Sequence, residues 1–168
     1  EFPMSFVKNN ESGTFQAVAM FGLEPGENLF VEDGKWTAAF APMASTRYPL
    51  GLVKHPEQDQ YGIVIDEASS LVGEEEGNAL FENGEETDYL KRRKESLVSF
   101  IEFSQVTEAF TKYLADKELL VAQTLTVDIK GEKKDINGIY LIDEKKLNSL
   151  SDEEFLELRK RGYLAPIY

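Results

Sequence analysis

Apolar and polar positions change period along the chain. The longest unpunctuated pattern is Glu85–Lys130, forty-six residues without glycine or proline. A helix is expected there at about Asp88–Lys117. At about 100° per residue, Leu90, Leu97 and Ile101 share one stripe, while Phe103, Val106, Phe110 and Tyr113 fall on nearly the opposite side. Nothing near Ser104 would break the helix, so its two halves are expected to bury against different neighbours. The aromatics Phe100, Phe103, Phe110 and Tyr113 are read as core rather than as the wall of a ligand pocket, because large rings at helical spacing are commonly interior.

Upstream, the period shortens. Phe2–Val7 suits a strand, with polar Lys8–Gly13 as its turn. Thr14–Leu23 is β-compatible and ends at Glu24-Pro25-Gly26-Glu27, where proline presets φ and glycine accepts a positive one. Asn28–Val31 and Lys35–Thr37 flank Asp33-Gly34, a two-residue hairpin signal. Thr14–Thr37 is therefore expected to be an antiparallel meander. Ala38–Ser45 reads as irregular, with Pro42 against a central strand. Leu50–Lys54 reads as a strand and Tyr61–Ile65 as a buried one. Glu82-Asn83-Gly84-Glu85 is a turn. Thr87 or Asp88 should cap the long helix, and Asp88 has the i, i+4 spacing to pair with Arg92.

Beyond Lys117, Leu125, Val127 and Ile129 alternate with polar residues as a half-exposed strand. Lys130–Lys134 turns, and Ile136–Ile142 returns as a more buried strand. Asp143 starts a short helix to about Ser149. Ser151 and Glu154 form a capping box, with Leu150 and Phe155 as its staple. Gly162 should close that helix near Arg161. The apolar tail Tyr163–Tyr168 either docks on the body or has lost a continuation. Together these elements predict a single α+β domain over residues 1–168: an antiparallel sheet on a long central helix, then a late β-hairpin and C-terminal helices.

Composition narrows the function. A chain of 168 residues is long enough to bury roughly 70% of its extended surface without staples. It has no cysteine, which removes disulfides, thiolate metal sites and a cysteine nucleophile. No apolar run approaches the ~20 residues of a membrane-spanning helix, and no signal-peptide pattern is present. Acids outnumber bases 31 to 18, a net −13. Eleven of those acids lie between Pro56 and Leu90, where there is no Lys or Arg. Such a charge disfavours nucleic acid and anionic membrane surfaces, both of which need a basic footprint. Protein partners or self-association remain.

Candidate binding residues are Trp36, Arg47, Tyr48, Asp66 and Glu67. Trp36 follows a hairpin turn and either faces a partner or, as is commoner, packs over a sheet edge. Asp66 and Glu67 follow a strand, where loops carry function. With Glu74–Glu76 they would offer hard oxygen ligands to a divalent cation. The ligand alternation of a calcium loop is missing, however, and so are nucleophile-elbow and phosphate-loop motifs. A solvated acidic loop is the default, and no catalytic residue, metal or cofactor is assigned. His55, the sole histidine, has Glu57 and Asp59 nearby but reads as a solvated loop residue.

Six blocks carry a resemblance: FGLEPGENLFV (Phe21–Val31), RYPLGL (Arg47–Leu52), IDEASSLV (Ile65–Val72), ALFENGEETDYL (Ala79–Leu90), NGIYLIDEKKL (Asn137–Leu147) and FLELRKRGYLAPIY (Phe155–Tyr168). Spanning nearly the whole chain in order, they resemble the bacterial SapC family, whose members look longer, so the chain is expected to be a core fragment. The resemblance implies a link to bacterial surface layers, hence the cell surface, and no established catalytic mechanism. The family's genes often lie near outer-membrane receptors and flavin-dependent halogenases. A peptide-transporter permease shares the name, but the missing membrane spans argue against that role. The expected function is a non-catalytic interaction or surface-layer assembly module. The alternative is an accessory enzyme or divalent-cation-binding protein working from the Asp66–Glu76 loop.

Overall fold

A computed structural model describes the whole chain except Glu1, Gln58, Asp59 and Lys130. It is an α+β fold whose residues group into two compact units, Glu1–Thr37 with Val106–Tyr168, and Ala38–Gln105.

The first unit is built on a four-stranded antiparallel sheet. Its strands are β1 (Met4–Lys8), β2 (Phe15–Ala19), β9 (Leu120–Ile129) and β10 (Glu132–Ile142), ordered β2-β1-β10-β9. The expected late hairpin is thus β9–β10, docked edgewise on the hairpin β1–β2 through Phe6↔Tyr140 and Val7↔Ile139. Lys130 lies outside the described residues, and the rest of the expected Lys130–Lys134 turn is shorter than predicted, since β10 already begins at Glu132. Gly138, at φ 79°, sits in a bulge between Ile136 and Ile139 that shifts the ladder.

The expected meander over Thr14–Thr37 is not what forms. β2 pairs with β1, and only Val31–Glu32 (β3) and Lys35–Trp36 (β4) make the next ladder, a separate two-stranded one. The turn chemistry reads correctly all the same. Asp33 and Gly34 both take positive φ, and Glu27 N–H closes the Pro25-Gly26 turn on the Glu24 carbonyl at 3.1 Å. The cause of the misreading is the partner: β2 finds its neighbour upstream.

The long helix α2 (Asp88–Asp116) is unbroken through Ser104. Its first part buries Leu90 and Leu97 and its last part Phe110, Thr111 and Leu114, so the apolar face does change along its length. Two of the residues expected in the core are not there. Phe103 is 60% exposed and Val106 63%. In sequence they lie between the two buried stripes, Leu90–Leu97 and Phe110–Leu114.

Thr87 caps α2, accepting from Leu90 N–H at 3.3 Å. Asp88 pairs with Lys91 at 3.4 Å, one residue short of the expected Arg92. The C-terminal end closes with Glu118 at φ 53° and Leu119 N–H on the Leu114 carbonyl at 2.8 Å. This places fully buried Leu114 and Leu119 together in the core with Phe6, Phe110, Leu147 and Leu158. The other core walls come from α3 (Glu144–Asn148), α4 (Asp152–Lys160) and α5 (Leu164–Ile167). The Ser151–Glu154 capping box is present, and Gly162 ends α4 at φ 73° with Tyr163 N–H on the Leu158 carbonyl. The tail docks: Tyr163, Leu164 and Ile167 pack on the core.

The second unit holds α1 (Met43–Thr46), a single turn where the sequence reads as irregular. It also holds the ribbon β5 (Leu50–Lys54) and β6 (Tyr61–Ile65), the small hairpin β7 (Phe81–Glu82) and β8 (Glu85–Glu86), and the start of α2. β6 was expected to be buried. It is instead mostly exposed, because the ribbon has only two strands and a run of apolar residues does not reveal how many layers cover it.

Candidate functional site

Arg47, Tyr48 and Asp66 meet at the base of the β5–β6 ribbon. Arg47-Tyr48-Pro49-Leu50 is a turn with a cis Tyr48–Pro49 bond, closed by Leu50 N–H on the Arg47 carbonyl at 2.9 Å. The pairing Leu50↔Ile65 carries Asp66 alongside it, where Asp66 N–H donates to the Pro49 carbonyl at 3.0 Å. Tyr48 OH then donates to Asp66 Oδ2 at 3.0 Å, and Ala68 N–H to Oδ1 at 3.1 Å. Asp66 therefore starts a loop turn with one carboxylate oxygen and anchors the tyrosine with the other.

Ser69 completes that loop. It is nearly buried, and its Oγ accepts from Leu71 N–H at 3.1 Å. Glu67 and Glu74–Glu76 point to solvent. Among the described residues, no three of the His, Asp and Glu side chains lie close enough to share a metal ion. Glu57 N–H donates to His55 Nδ1 at 3.3 Å, which is local loop chemistry.

Two arginines hold the turn. The Arg47 guanidinium lies 4.9 Å above the Phe100 ring, and its Nε donates to the Ala44 carbonyl at 3.3 Å. Arg93 Nη2 reaches the Thr46 and Arg47 carbonyls, each at 2.8 Å. Arg93 was not singled out from the sequence. Its signal was nonetheless there: it falls three residues after Leu90 and four before Leu97, on the buried stripe of α2. Its neighbour Lys94 pairs with Glu86 at 2.7 Å. The basic run and the acidic segment thus answer each other within the unit, at modest value for such exposed pairs.

A solvent-open groove of ≈ 350 Å³ lies between α1 and the ribbon, lined by Arg47, Tyr48, Leu50, Gly51, Val64 and Asp66. Its lining is mainly apolar, with the Tyr48 and Asp66 side chains and Arg47 among it. Its hydroxyl and carboxylate, those of Tyr48 and Asp66, are hydrogen-bonded to each other, and such a set suits recognition.

Trp36 belongs elsewhere. It packs with Phe2, Phe21 and Phe30, ring centroids 4.8–6.2 Å apart, in the first unit. Of the five candidate residues, three converge, Glu67 is adjacent and exposed, and Trp36 is in a separate cluster.

The SapC family model matches residues 1–168. The chain belongs to the SapC family. No curated protein and no solved structure matches this SapC chain. Among its described residues no helix is long and apolar enough to cross a membrane.

Proposed function

We propose that this SapC chain is a non-catalytic interaction module that assembles with bacterial surface-layer protein through its second unit. One observation carries the reading: the β5–β6 ribbon presents Val53 (54% exposed) and Val64 (45%) to solvent on one face, with Tyr61 and Ile63 exposed on the other. Val53 and Val64 share a face with Gly51 and Gly62, so that face is apolar and the two valines are its only protruding side chains within the ladder. Contiguous exposed apolar surface rimmed by polar groups is characteristic of protein contact sites. The groove beside it supplies the polar rim through Tyr48, Asp66 and Arg47.

Weighing against cation binding at Asp66–Glu76, both Asp66 oxygens already accept hydrogen bonds, the neighbouring glutamates are exposed, and among the described residues no three such side chains lie close enough to share an ion. Co-sedimentation with isolated surface-layer sheets tests the proposal. The wild-type chain is expected to pellet with the sheets, and the double variant Val53→Glu/Val64→Glu to stay in the supernatant. A wild-type chain that stays in the supernatant would overturn it.

A further inference from the structure

The chain contains one supersecondary pattern twice. Phe2–Met20 and Tyr48–Asp66 align without a gap, 46 residues apart. Pro3 matches Pro49, Val7-Lys8 matches Val53-Lys54, Glu11 matches Glu57, and Val18 matches Val64. The ladders agree residue for residue. Met4↔Ala19 through Lys8↔Phe15 in the first corresponds to Leu50↔Ile65 through Lys54↔Tyr61 in the second.

The flanking bonds agree as well. Met20 N–H donates to the Pro3 carbonyl at 2.9 Å, and Asp66 N–H to the Pro49 carbonyl at 3.0 Å; Asn9 N–H donates to Thr14, and His55 N–H to Gln60, both at 2.8 Å. A second hairpin follows each ribbon. Asn28–Thr37 and Asn78–Thr87 share Asn, Glu, Gly and Thr at equivalent places. Both turns have two positive-φ residues, and both close with the threonine N–H on the carbonyl of Phe30 or Leu80, at 2.9 and 3.0 Å.

The two copies differ at one edge. In the first, the outer edge of β1 is taken by the hairpin β9–β10, with Phe6 opposite Tyr140. In the second, the equivalent strand β5 pairs only with β6 among the described residues. Hydrogen bonds at the two ends of the β5–β6 ladder, from Asp66 to Pro49 and from His55 to Gln60, set its alternation. They place Gly51 and Val53 among the residues bonded to β6 and turn the N–H and C=O of Leu52 outward. Leu52 is the counterpart of Phe6.

We infer that the β5 edge pairs antiparallel with β5 of a second copy of this chain, centred on Leu52. This deepens the interaction reading by naming one partner. The first repeat shows what such an edge takes: an antiparallel hairpin contributing apolar Ile139 and Tyr140. A second β5–β6 hairpin supplies the same thing, with Leu52 and Val53. An antiparallel edge also matches itself across a two-fold axis, so the contact closes at a dimer. The resulting order β6-β5-β5-β6 reproduces β2-β1-β10-β9. The partnered edge would cease to be the aggregation liability that an open strand is.

Two measurements on the wild-type chain test this together: sedimentation over a dilution series at high salt, which screens the −13 charge, and amide exchange. A monomer–dimer equilibrium is expected, with exchange at the Leu52 amide slowed about tenfold or more in the dimer. The Leu50, Gly51 and Val53 amides, bonded within the chain, serve as internal references. A chain that stays monomeric, or a dimer whose Leu52 amide exchanges as in the monomer, would overturn the inference. A monomer that still pellets with surface-layer sheets sinks the dimer alone. A dimer that ignores the sheets sinks the surface-layer reading and leaves the dimer standing.

Discussion

Single side chains decide where several elements stop. Two helices end in the left-handed conformation, α4 at Gly162 (φ 73°) and α2 at Glu118 (φ 53°). Glycine adopts it without a Cβ penalty, whereas a side chain costs roughly 1–2 kcal/mol. Glu118 holds the position while pairing with Lys146 at 2.7 Å. Gly162→Ala should therefore lower stability by about 1 kcal/mol. The check is a urea melt whose midpoint falls while its slope is unchanged. These endpoints were legible because capping is local: the Ser151–Glu154 box and Gly162 both stand where the sequence placed them. The Tyr48–Asp66 contact was not, since eighteen residues separate them and only the β5–β6 register brings them together.

At the scale of elements, α2 contributes buried residues to both units. Leu97 is almost fully buried and Val106 is 63% exposed. Leu97→Ala is expected to cost about 2–5 kcal/mol, as cavity-forming substitutions do. Val106→Lys should change stability by no more than about 0.5 kcal/mol. Equilibrium denaturation of the two variants separates a changing apolar face from a continuous core stripe: a large loss at Val106 would contradict the description. Helical periodicity made the length of α2 readable, since nothing in its sequence could break it. It could not say that Phe103 and Val106 lie outside. Covering them depends on neighbours remote in sequence, as does the pairing of β1 with β10.

For the molecule as a whole, acidity has a local consequence in the first unit. Hydrogen bonds from Lys134, Lys146, Lys117 and Arg161 hold Glu24, Glu118, Glu154 and Glu157, respectively, below their ordinary value of 4.5. Carboxylates lowered on folding stabilise fully above their unfolded value, and that contribution is lost as pH falls through the lowered ones. Melting temperature should therefore hold near neutrality and fall below pH 4.5, with Glu154→Gln flattening that acid limb. A thermal melt at stepped pH checks it.

The fold class was legible from the pattern of periods and turns. The duplication was not, because its agreement lies in register and hydrogen bonding more than in residue identity. The aromatic cluster of the first repeat carries a last implication. At the places of Phe2, Phe21, Phe30 and Trp36 the second repeat has Tyr48, Glu67, Leu80 and Glu86. The chain's one indole is thus a native optical probe that reports on a single copy of the pattern. Excited at the red edge, its emission would track that copy's unfolding while the other stayed dark. Agreement with ellipticity would then be the condition for assigning the protein one transition temperature.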